Sequence, residues 1–149
     1  MRAVVQRVKD AFVTVDGVVS GSIEKGLLVY LGISDSDDEN ICKKMAEKVA
    51  KLRIFTDEKG KMNLSISDIG ASILVISQFT LFANVKGCNR PSLSGAGKPG
   101  HAQALYEGFV SHLRGLGYNV GTGVFGAHMH VRYENDGPVT LCLDSDQLF

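Results

Sequence analysis

The feature that most constrains the fold of this chain is an unbroken apolar run, Leu27 to Ile33, which follows Gly26. A strand with one face in water alternates apolar and polar side chains, whereas a continuous run is typical of a strand covered on both faces. A shorter run, Ile73 to Ile76, has the same character and leads directly into the polar residues Ser77 and Gln78. The sequence therefore predicts two buried strands, the first of them central in a sheet.

Other strands are indicated at both ends of the chain. Ala3 to Val8 and Phe12 to Val15 alternate with a period of about two, and a turn at 16–17 leads into a further apolar pair. These segments predict an opening antiparallel meander. Tyr118 to Tyr133 and Val139 to Leu143 are predicted as closing strands.

Two segments show helical periodicity. The first follows Ser36 and Glu39, which have the spacing of a capping box, and it ends near Arg53. Its apolar positions recur every three or four residues: Ile41, Met45, Val49 and Leu52. The second begins with Pro99 at the first helical position and continues through Ala102, Leu105, Phe109 and Leu113 to the glycines at 115 and 117.

These elements predict an α/β fold with a mixed, largely antiparallel sheet or barrel-like core and two main flanking helices. The segment 86–100, with four glycines and two prolines, is predicted to be a long loop, and long loops in compact domains are often functional. A length of 149 residues favours a single domain spanning 1–149.

Composition excludes several classes of function. Sixteen basic and sixteen acidic residues give no net charge, which argues against a basic DNA-binding stripe. The three cysteines lack C-x-x-C spacing, and His128 and His130 have no third ligand at a useful spacing, so we predict no disulfide framework and no metal. No apolar segment is long enough to span a bilayer. We expect a cytoplasmic protein without a membrane partner.

Candidate chemistry lies in S-Q-F-T-L, Ser77 to Leu81. A buried strand that ends in Ser, Gln and Thr must satisfy these side chains at the strand end or present them to a ligand. The residues alone leave both interpretations open, and the strand-end cap is the simpler one. No His or Lys stands nearby in sequence to activate a hydroxyl nucleophile.

A second unusual stretch is N-D-G-P-V-T, Asn135 to Thr140. Asp-Gly between alternating apolar runs normally indicates a two-residue hairpin turn. Here the closing hydrogen bond would need the N–H of residue 138, which is a proline and has none. Either the turn is of another type, or the Gly-Pro step has a purpose of its own.

Taken together, the sequence resembles the D-aminoacyl-tRNA deacylases, the D-tyrosyl-tRNA(Tyr) deacylase family, over essentially its whole length. The matching motifs occur in the family's order: M-R-A-V-V-Q-R-V at 1–8, L-R-I-F-T-D-E-K-G-K-M-N at 52–63, S-Q-F-T-L at 77–81, N-R-P-S at 89–92, T-G-V-F-G-A-H-M at 122–129 and N-D-G-P-V-T at 135–140. The chain departs from the family pattern in the long loop, at Gly87-Cys88, at Leu93 and at 95–97. These departures leave the tRNA contacts of that loop open.

The resemblance implies an editing hydrolase that cleaves the ester between a D-amino acid, or glycine mischarged on tRNA(Ala), and the terminal ribose of tRNA. It implies no cofactor, an aminoacyl-tRNA partner, no DNA partner, and a homodimer with its active sites at the subunit interface. In the family, a Gly-Pro step held cis enters the opposite subunit's site, where its carbonyl oxygens exclude an L side chain. By position this step is Gly137-Pro138, and the ribose 2′-hydroxyl is expected to assist catalysis.

The resemblance also implies roles for individual residues. Phe79 and Thr80 would supply backbone amides to the ester, while Ser77 and Gln78 would shape the pocket for adenosine and ester. Thr80 as a covalent nucleophile is an alternative. Phe125 and Met129 are expected to line the site and Arg7 to brace the Gly-Pro turn, although core packing or a surface ion pair would also explain these three residues.

Two rival functions are compatible with the same motifs. The first is a related animal-type deacylase with a trans Gly-Pro step that removes L-alanine from a mismatched tRNA, against which S-Q-F-T-L argues. The second is a catalytically silent RNA-binding module that retains the fold. The absence of net charge gives this module little electrostatic support.

Overall fold

The strand predicted to be central lies in the middle of a five-stranded sheet in the computed structural model, which describes residues 1–149. The strands are β1 (Arg2–Val15), β2 (Val18–Gly32), β3 (Phe55–Thr56), β4 (Met62–Leu64), β5 (Ser72–Ser77), β6 (Val120–Thr122) and β7 (His130–Asp144). The helices are α1 (Glu39–Ala50), α2 (Ile66–Ile69), α3 (Pro99–Gly115) and α4 (Ser145–Leu148). The main sheet has the order β6-β5-β2-β1-β7, and β3 and β4 form a separate hairpin.

The sheet is mixed, as predicted. β1 pairs antiparallel with both β2 and β7, whereas β5 pairs parallel with both β2 and β6. The parallel pairs require crossover connections, and α1 and α3 lie in these two crossovers. The sheet is open, so the core is not a closed barrel, and β6 and β7 are its edges.

Alternation along the strands creates two apolar cores, one on each face. Leu27, Val29 and Leu31 of β2 belong to a large cluster that also contains the buried residues of α1 and α3, including the fully buried Phe109. Leu28, together with Leu74 and Ile76 of β5, belongs to a smaller cluster on the opposite face. This two-sided burial explains why the β2 sequence reads as a continuous apolar run.

The distal part of the β1–β2 hairpin folds over toward the edge strand β6. A Cβ atom added to Gly21 would meet the backbone nitrogen of Thr122 at 2.8 Å. Because no side chain fits at this approach, glycine permits the curl of the hairpin.

Several predicted boundaries were wrong. Asp38, not Ser36, is the N-cap of α1, since its carboxylate accepts from the Ile41 amide at 2.8 Å. The two segments predicted before residue 16 form one strand, β1, which is irregular near Asp10, a residue with positive φ. Tyr118 to Tyr133 is not one strand, because β6 ends at Thr122 and β7 begins at His130.

The N-D-G-P stretch does not join two strands. It lies inside the edge strand β7, where the pairing with β1 is interrupted between Gln6 and Val8. None of the helices combines the length and apolarity that crossing a bilayer requires.

Candidate active site

The polar residues predicted to end a buried strand lie at an edge where two parallel strands stop. Ser77 of β5 stands opposite Leu31 of β2, and the Gln78 amide donates to the Leu31 carbonyl at 2.8 Å. The chain then enters a 3₁₀ turn, Phe79–Phe82. Open α/β sheets commonly bind ligands at the carboxyl ends of their parallel strands.

A pocket of about 250 Å³ opens at this edge. Its walls include Leu31, Ile33, Ser77, Gln78, Phe79 and Phe125, with the segment 96–97 and the start of α3 closing another side. None of the residues that line it is charged. The pocket therefore offers apolar surface and a few uncharged polar groups, a composition typical of small-ligand sites.

The 3₁₀ turn carries both predicted backbone donors: Phe79 lines the pocket, and Thr80 follows it outside the lining. Phe79 and Thr80 are its first two residues, and the amides at the start of a helix have no acceptor within it. No side chain caps this turn. The Phe79 side chain is 56% exposed, and the Thr80 hydroxyl accepts a hydrogen bond from the Gln78 side-chain amide. No histidine, lysine or carboxylate is bonded to the Thr80 or Ser77 hydroxyl, so neither has an activating base.

The turn is held from behind by Arg2. Its Nη1 donates to the Leu81 carbonyl at 3.0 Å, its Nε donates to Asp144 at 3.0 Å, and its guanidinium lies 4.6 Å from the Phe82 ring centroid. This bracing keeps the direction of the Phe79 and Thr80 amides fixed relative to the sheet.

The long loop is fastened to the segment that follows β2. The Gly97 amide donates to the Ile33 carbonyl at 2.8 Å, and the Lys98 amide donates to Asp35 at 2.7 Å. Beneath this contact, the buried Asp37 carboxylate accepts from the Met1 ammonium group and from the Ser34 amide at 2.7 Å. One wall of the pocket is thereby tied to the core.

Tyr106 of α3 supports the opposite wall. Its hydroxyl donates to the Val75 carbonyl in β5 at 2.8 Å, and its ring centroid lies 5.9 Å from that of Phe125. Burial of the ring raises the pKa of Tyr106 to about 12, since the anion would lose its hydration. The hydroxyl stays protonated at neutral pH and acts as a permanent donor.

The remaining predicted residues are not in this pocket. Met129 packs against the smaller core on the other face of the sheet, close to Gly123. Gly137 and Pro138 are exposed on β7, at the level of Arg7. Ser77 of β5 is level with Ala3 of β1, four residues from Arg7, and β5 lies three strand spacings from β7. The two offsets together place the Gly-Pro step roughly 20 Å from Ser77. Within one chain, the Gly-Pro step does not reach the pocket.

The Gly-Pro step is carried on a bulge that specific side chains hold in place. Asn135 donates from Nδ2 to the carbonyls of Arg7 and Val139, at 3.1 and 3.0 Å, where the ladder is interrupted. Arg7 donates from Nε to the Asp136 carbonyl at 3.0 Å and from Nη1 to the Ile54 carbonyl at 2.6 Å. The Gly137–Pro138 peptide bond is cis.

The contacts of Arg7, Tyr106 and Asn135 differ in how far the sequence indicated them. Arg7 contacts the Asp136 carbonyl beside the Gly-Pro step, and its role in bracing that step stays a prediction. Tyr106 and Asn135 were missed: in sequence, Tyr106 is one more residue on the buried face of a helix, and Asn135 is an ordinary turn residue. Their partners, Val75 and Arg7, are distant in the chain, so only the fold reveals their contacts.

The fold and the pocket together define an α/β protein whose candidate site is built from main-chain groups and uncharged side chains rather than from a catalytic triad. The profile of a family described as D-Tyr-tRNA(Tyr) deacylase matches residues 4–144. The chain therefore belongs to the D-aminoacyl-tRNA deacylase family.

Individual relatives agree over nearly the full length. A D-aminoacyl-tRNA deacylase of Koribacter versatilis is 53% identical over 149 residues and covers 100% of both chains. A D-aminoacyl-tRNA deacylase of Deinococcus radiodurans is 55% identical over 97% of this chain and 99% of its own. Among solved structures, a c-Myc DNA unwinding element binding protein superposes with a TM-score of 0.91 and 41% identity, covering 97% of this chain and 98% of its own.

Proposed function

We propose that this chain is an editing hydrolase that releases D-amino acids from tRNA and rejects L-aminoacyl-tRNA by steric exclusion. As a member of its family, it is a D-aminoacyl-tRNA deacylase, an enzyme that hydrolyses a carboxylic ester. The observation that carries the proposal is the pocket at the end of β5, which combines Ser77, Gln78 and free backbone amides without a charged side chain.

Catalysis by this site requires orientation and oxyanion stabilisation more than a protein base. An aminoacyl ester is already an activated acyl group, so fixed donors aimed at the developing oxyanion supply much of the rate enhancement. In our proposal, the Phe79 and Thr80 amides are these donors, and each contributes about 3 kcal/mol. Ser77 and Gln78 shape the part of the pocket that holds the terminal adenosine and the ester.

The attacking water is activated by the substrate in this proposal. No base is bonded to the Ser77 or Thr80 hydroxyl, which disfavours Thr80 as a covalent nucleophile. The ribose 2′-hydroxyl lies next to the ester in any aminoacyl-tRNA and can assist proton transfer from water. The products are free tRNA and the amino acid.

Selection against L-amino acids is assigned to Gly137 and Pro138 of a second subunit. The roughly 20 Å between this step and the pocket of the same chain excludes an intramolecular role. β7 is also a long edge strand, and an exposed edge of this length is normally covered in the functional protein. In our proposal, a homodimer brings the step of each subunit to the pocket of the other.

The filter recognises the absence of an L side chain, not the presence of a D side chain. Two successive carbonyl oxygens placed near the substrate α-carbon leave no room for an L substituent, whereas a D substituent points outward. Glycine has no side chain to exclude. The same site is therefore proposed to accept glycine mischarged on tRNA(Ala).

The proposal is tested by comparing deacylation of D-tyrosyl-tRNA and L-tyrosyl-tRNA by the wild type and by Pro138→Ala. The wild type should release only the D-amino acid. The substitution removes the ring that fixes the backbone torsion, so the carbonyls lose their direction and the D-to-L rate ratio should fall about tenfold or more, or ~1.4 kcal/mol.

Light scattering provides the matching structural test, with a dimer expected at micromolar concentration. Equal rates on both substrates by the wild type, or no release of the D-amino acid, would contradict the proposed function. Binding of charged tRNA without turnover would instead favour the RNA-binding module. A stable monomer with full D-selectivity would refute the cross-subunit filter alone.

A further inference from the structure

The charges of this chain are unevenly distributed although they sum to zero. The segment 43–61 contains seven of the sixteen basic residues but only three of the sixteen acidic ones. It covers most of α1, the connection to β3 and the turn between β3 and β4. A local positive surface thus exists on a protein whose overall charge would not attract a polyanion.

Part of this surface is a groove of about 560 Å³, open to solvent, which we call the basic groove. Its walls include Lys44 and Lys48 of α1, the C-cap residue Lys51, Arg53 and the ring of Phe149. Lys44 and Lys48 have no carboxylate partner, and the Lys44 ammonium lies 5.7 Å from the Phe149 ring centroid. The single acidic residue in the groove, Glu47, is paired with Lys51 at 3.2 Å.

The basic groove lies next to the Gly137–Pro138 bulge. Arg53, at one end of the groove, precedes Ile54, whose carbonyl accepts from Arg7, and Arg7 also bonds the Asp136 carbonyl. Only Ile54 and Arg7 therefore separate the groove from the segment that is proposed to enter the opposite subunit's pocket.

The pocket itself supplies no charge to bind the rest of the substrate. An RNA substrate carries one phosphate per nucleotide beyond its terminal ribose, while the residues that line the pocket include no lysine or arginine. Phosphate contacts must come from another surface, and exposed lysines beside an exposed aromatic ring suit a sugar–phosphate backbone.

We propose that the basic groove binds the phosphodiester backbone of the tRNA whose aminoacyl end occupies the active site. This inference rests on the proposed function and adds to it a second contact surface for the substrate. Lys44 and Lys48 provide the main phosphate contacts, because no carboxylate neutralises them.

The test compares Lys44→Gln/Lys48→Gln with a control of equal charge change, Lys25→Gln/Arg132→Gln, whose exposed residues lie outside the groove. Glutamine is a good helix former, so α1 is retained. For D-tyrosyl-tRNA, the groove variant should raise KM by about tenfold at moderate salt and reduce the salt dependence of KM by about one power of concentration per lysine. The control variant should change neither quantity.

A phosphate-free substrate separates groove binding from chemistry. The ester of D-tyrosine with adenosine should be hydrolysed by the groove variant at the wild-type rate. An unchanged KM of the groove variant for D-tyrosyl-tRNA would overturn the proposal. An equal rise of KM in the control variant would also overturn it, because it would indicate only long-range attraction between the protein and the tRNA. Loss of activity on the small ester would also overturn it. Failure of the wild type to hydrolyse either substrate would refute the proposed function instead.

Discussion

Tyr106→Phe should change stability in a direction that depends on pH. The substitution keeps the ring that packs against Phe125 and removes only the hydroxyl that donates to the Val75 carbonyl at 2.8 Å. A buried hydrogen bond of this kind contributes about 1 kcal/mol. Near pH 8 the variant should therefore be less stable than the wild type by about 1 kcal/mol, which lowers Tm by roughly 2 to 4 °C in a domain of this size.

The difference should shrink and then reverse at alkaline pH. The pKa of Tyr106 is raised from 10 to about 12 in the folded protein, so its neutral form is favoured there while the unfolded chain ionises from pH 10 upward. The stability that the neutral Tyr106 hydroxyl gives the wild type is fully present below pH 10. It is lost as pH rises toward 12, at about 1.4 kcal/mol per pH unit. Phenylalanine cannot ionise, so the stability of the variant does not fall with pH for this reason. At about pH 11 the variant should be the more stable protein by a few tenths of a kcal/mol.

Urea denaturation of both proteins at a series of pH values measures this difference directly. Burial also raises the pKa of Tyr30, but that residue is present in both proteins and its effect cancels. The Tyr106→Phe variant should keep the wild-type KM for D-tyrosyl-tRNA at neutral pH, because the pocket wall is unchanged. A stability difference that stays constant between about pH 8 and 11, or a variant as stable as the wild type at pH 8, would refute the assigned role of the hydroxyl.

Three further substitutions test the fold that supports the site. Asp37→Asn leaves the buried Met1 ammonium without its counter-charge and should cost about 3 to 5 kcal/mol in urea denaturation, and a loss below 1 kcal/mol would contradict the buried pair. Gly21→Ala forces a methyl group against the Thr122 backbone and should lower stability by about 1 to 3 kcal/mol, whereas an unchanged Tm would show that the hairpin does not curl onto β6. Phe109→Ala opens a cavity at a fully buried position and should cost about 3 to 5 kcal/mol by the same measurement, with an effect near zero excluding its place in the core.

The central part of the fold could be predicted from sequence because its signals are strong and local. The apolar runs of β2 and β5 reflect burial on two faces, and Pro99 with the following 3.6-residue period defines α3. The start of α1 was misassigned because two residues could serve as its N-cap. Ser36 stands three residues before Glu39, as in a capping box, and Asp38 stands three residues before Ile41, whose amide it accepts from. Only the geometry shows that Asp38, and not Ser36, accepts from the helix.

The sequence indicated some parts of the candidate site and not others. Ser77 and Gln78 could be located because polar residues directly follow a buried strand. The bulge at Asn135 could not be predicted, because Arg7, which bonds both Asn135 and the Asp136 carbonyl, lies on β1 more than a hundred positions earlier. The missing N–H of Pro138 excluded an ordinary turn, but it did not show that the strand continues on the far side.

That continuation places the Gly-Pro segment outside the hydrogen-bonded ladder of the sheet. β7 pairs with β1 on both sides of the bulge, at Asn135 and at Thr140, so residues 136–139 contribute no pair to the ladder of the sheet. Libraries that test the proposed filter should vary Gly137 and Pro138 and keep Asp136, which pairs with Arg7, and Val139, which packs against the large core. If the Gly-Pro step is the filter that we propose, selectivity for amino-acid configuration can be varied at these two positions while the β1–β7 ladder is kept.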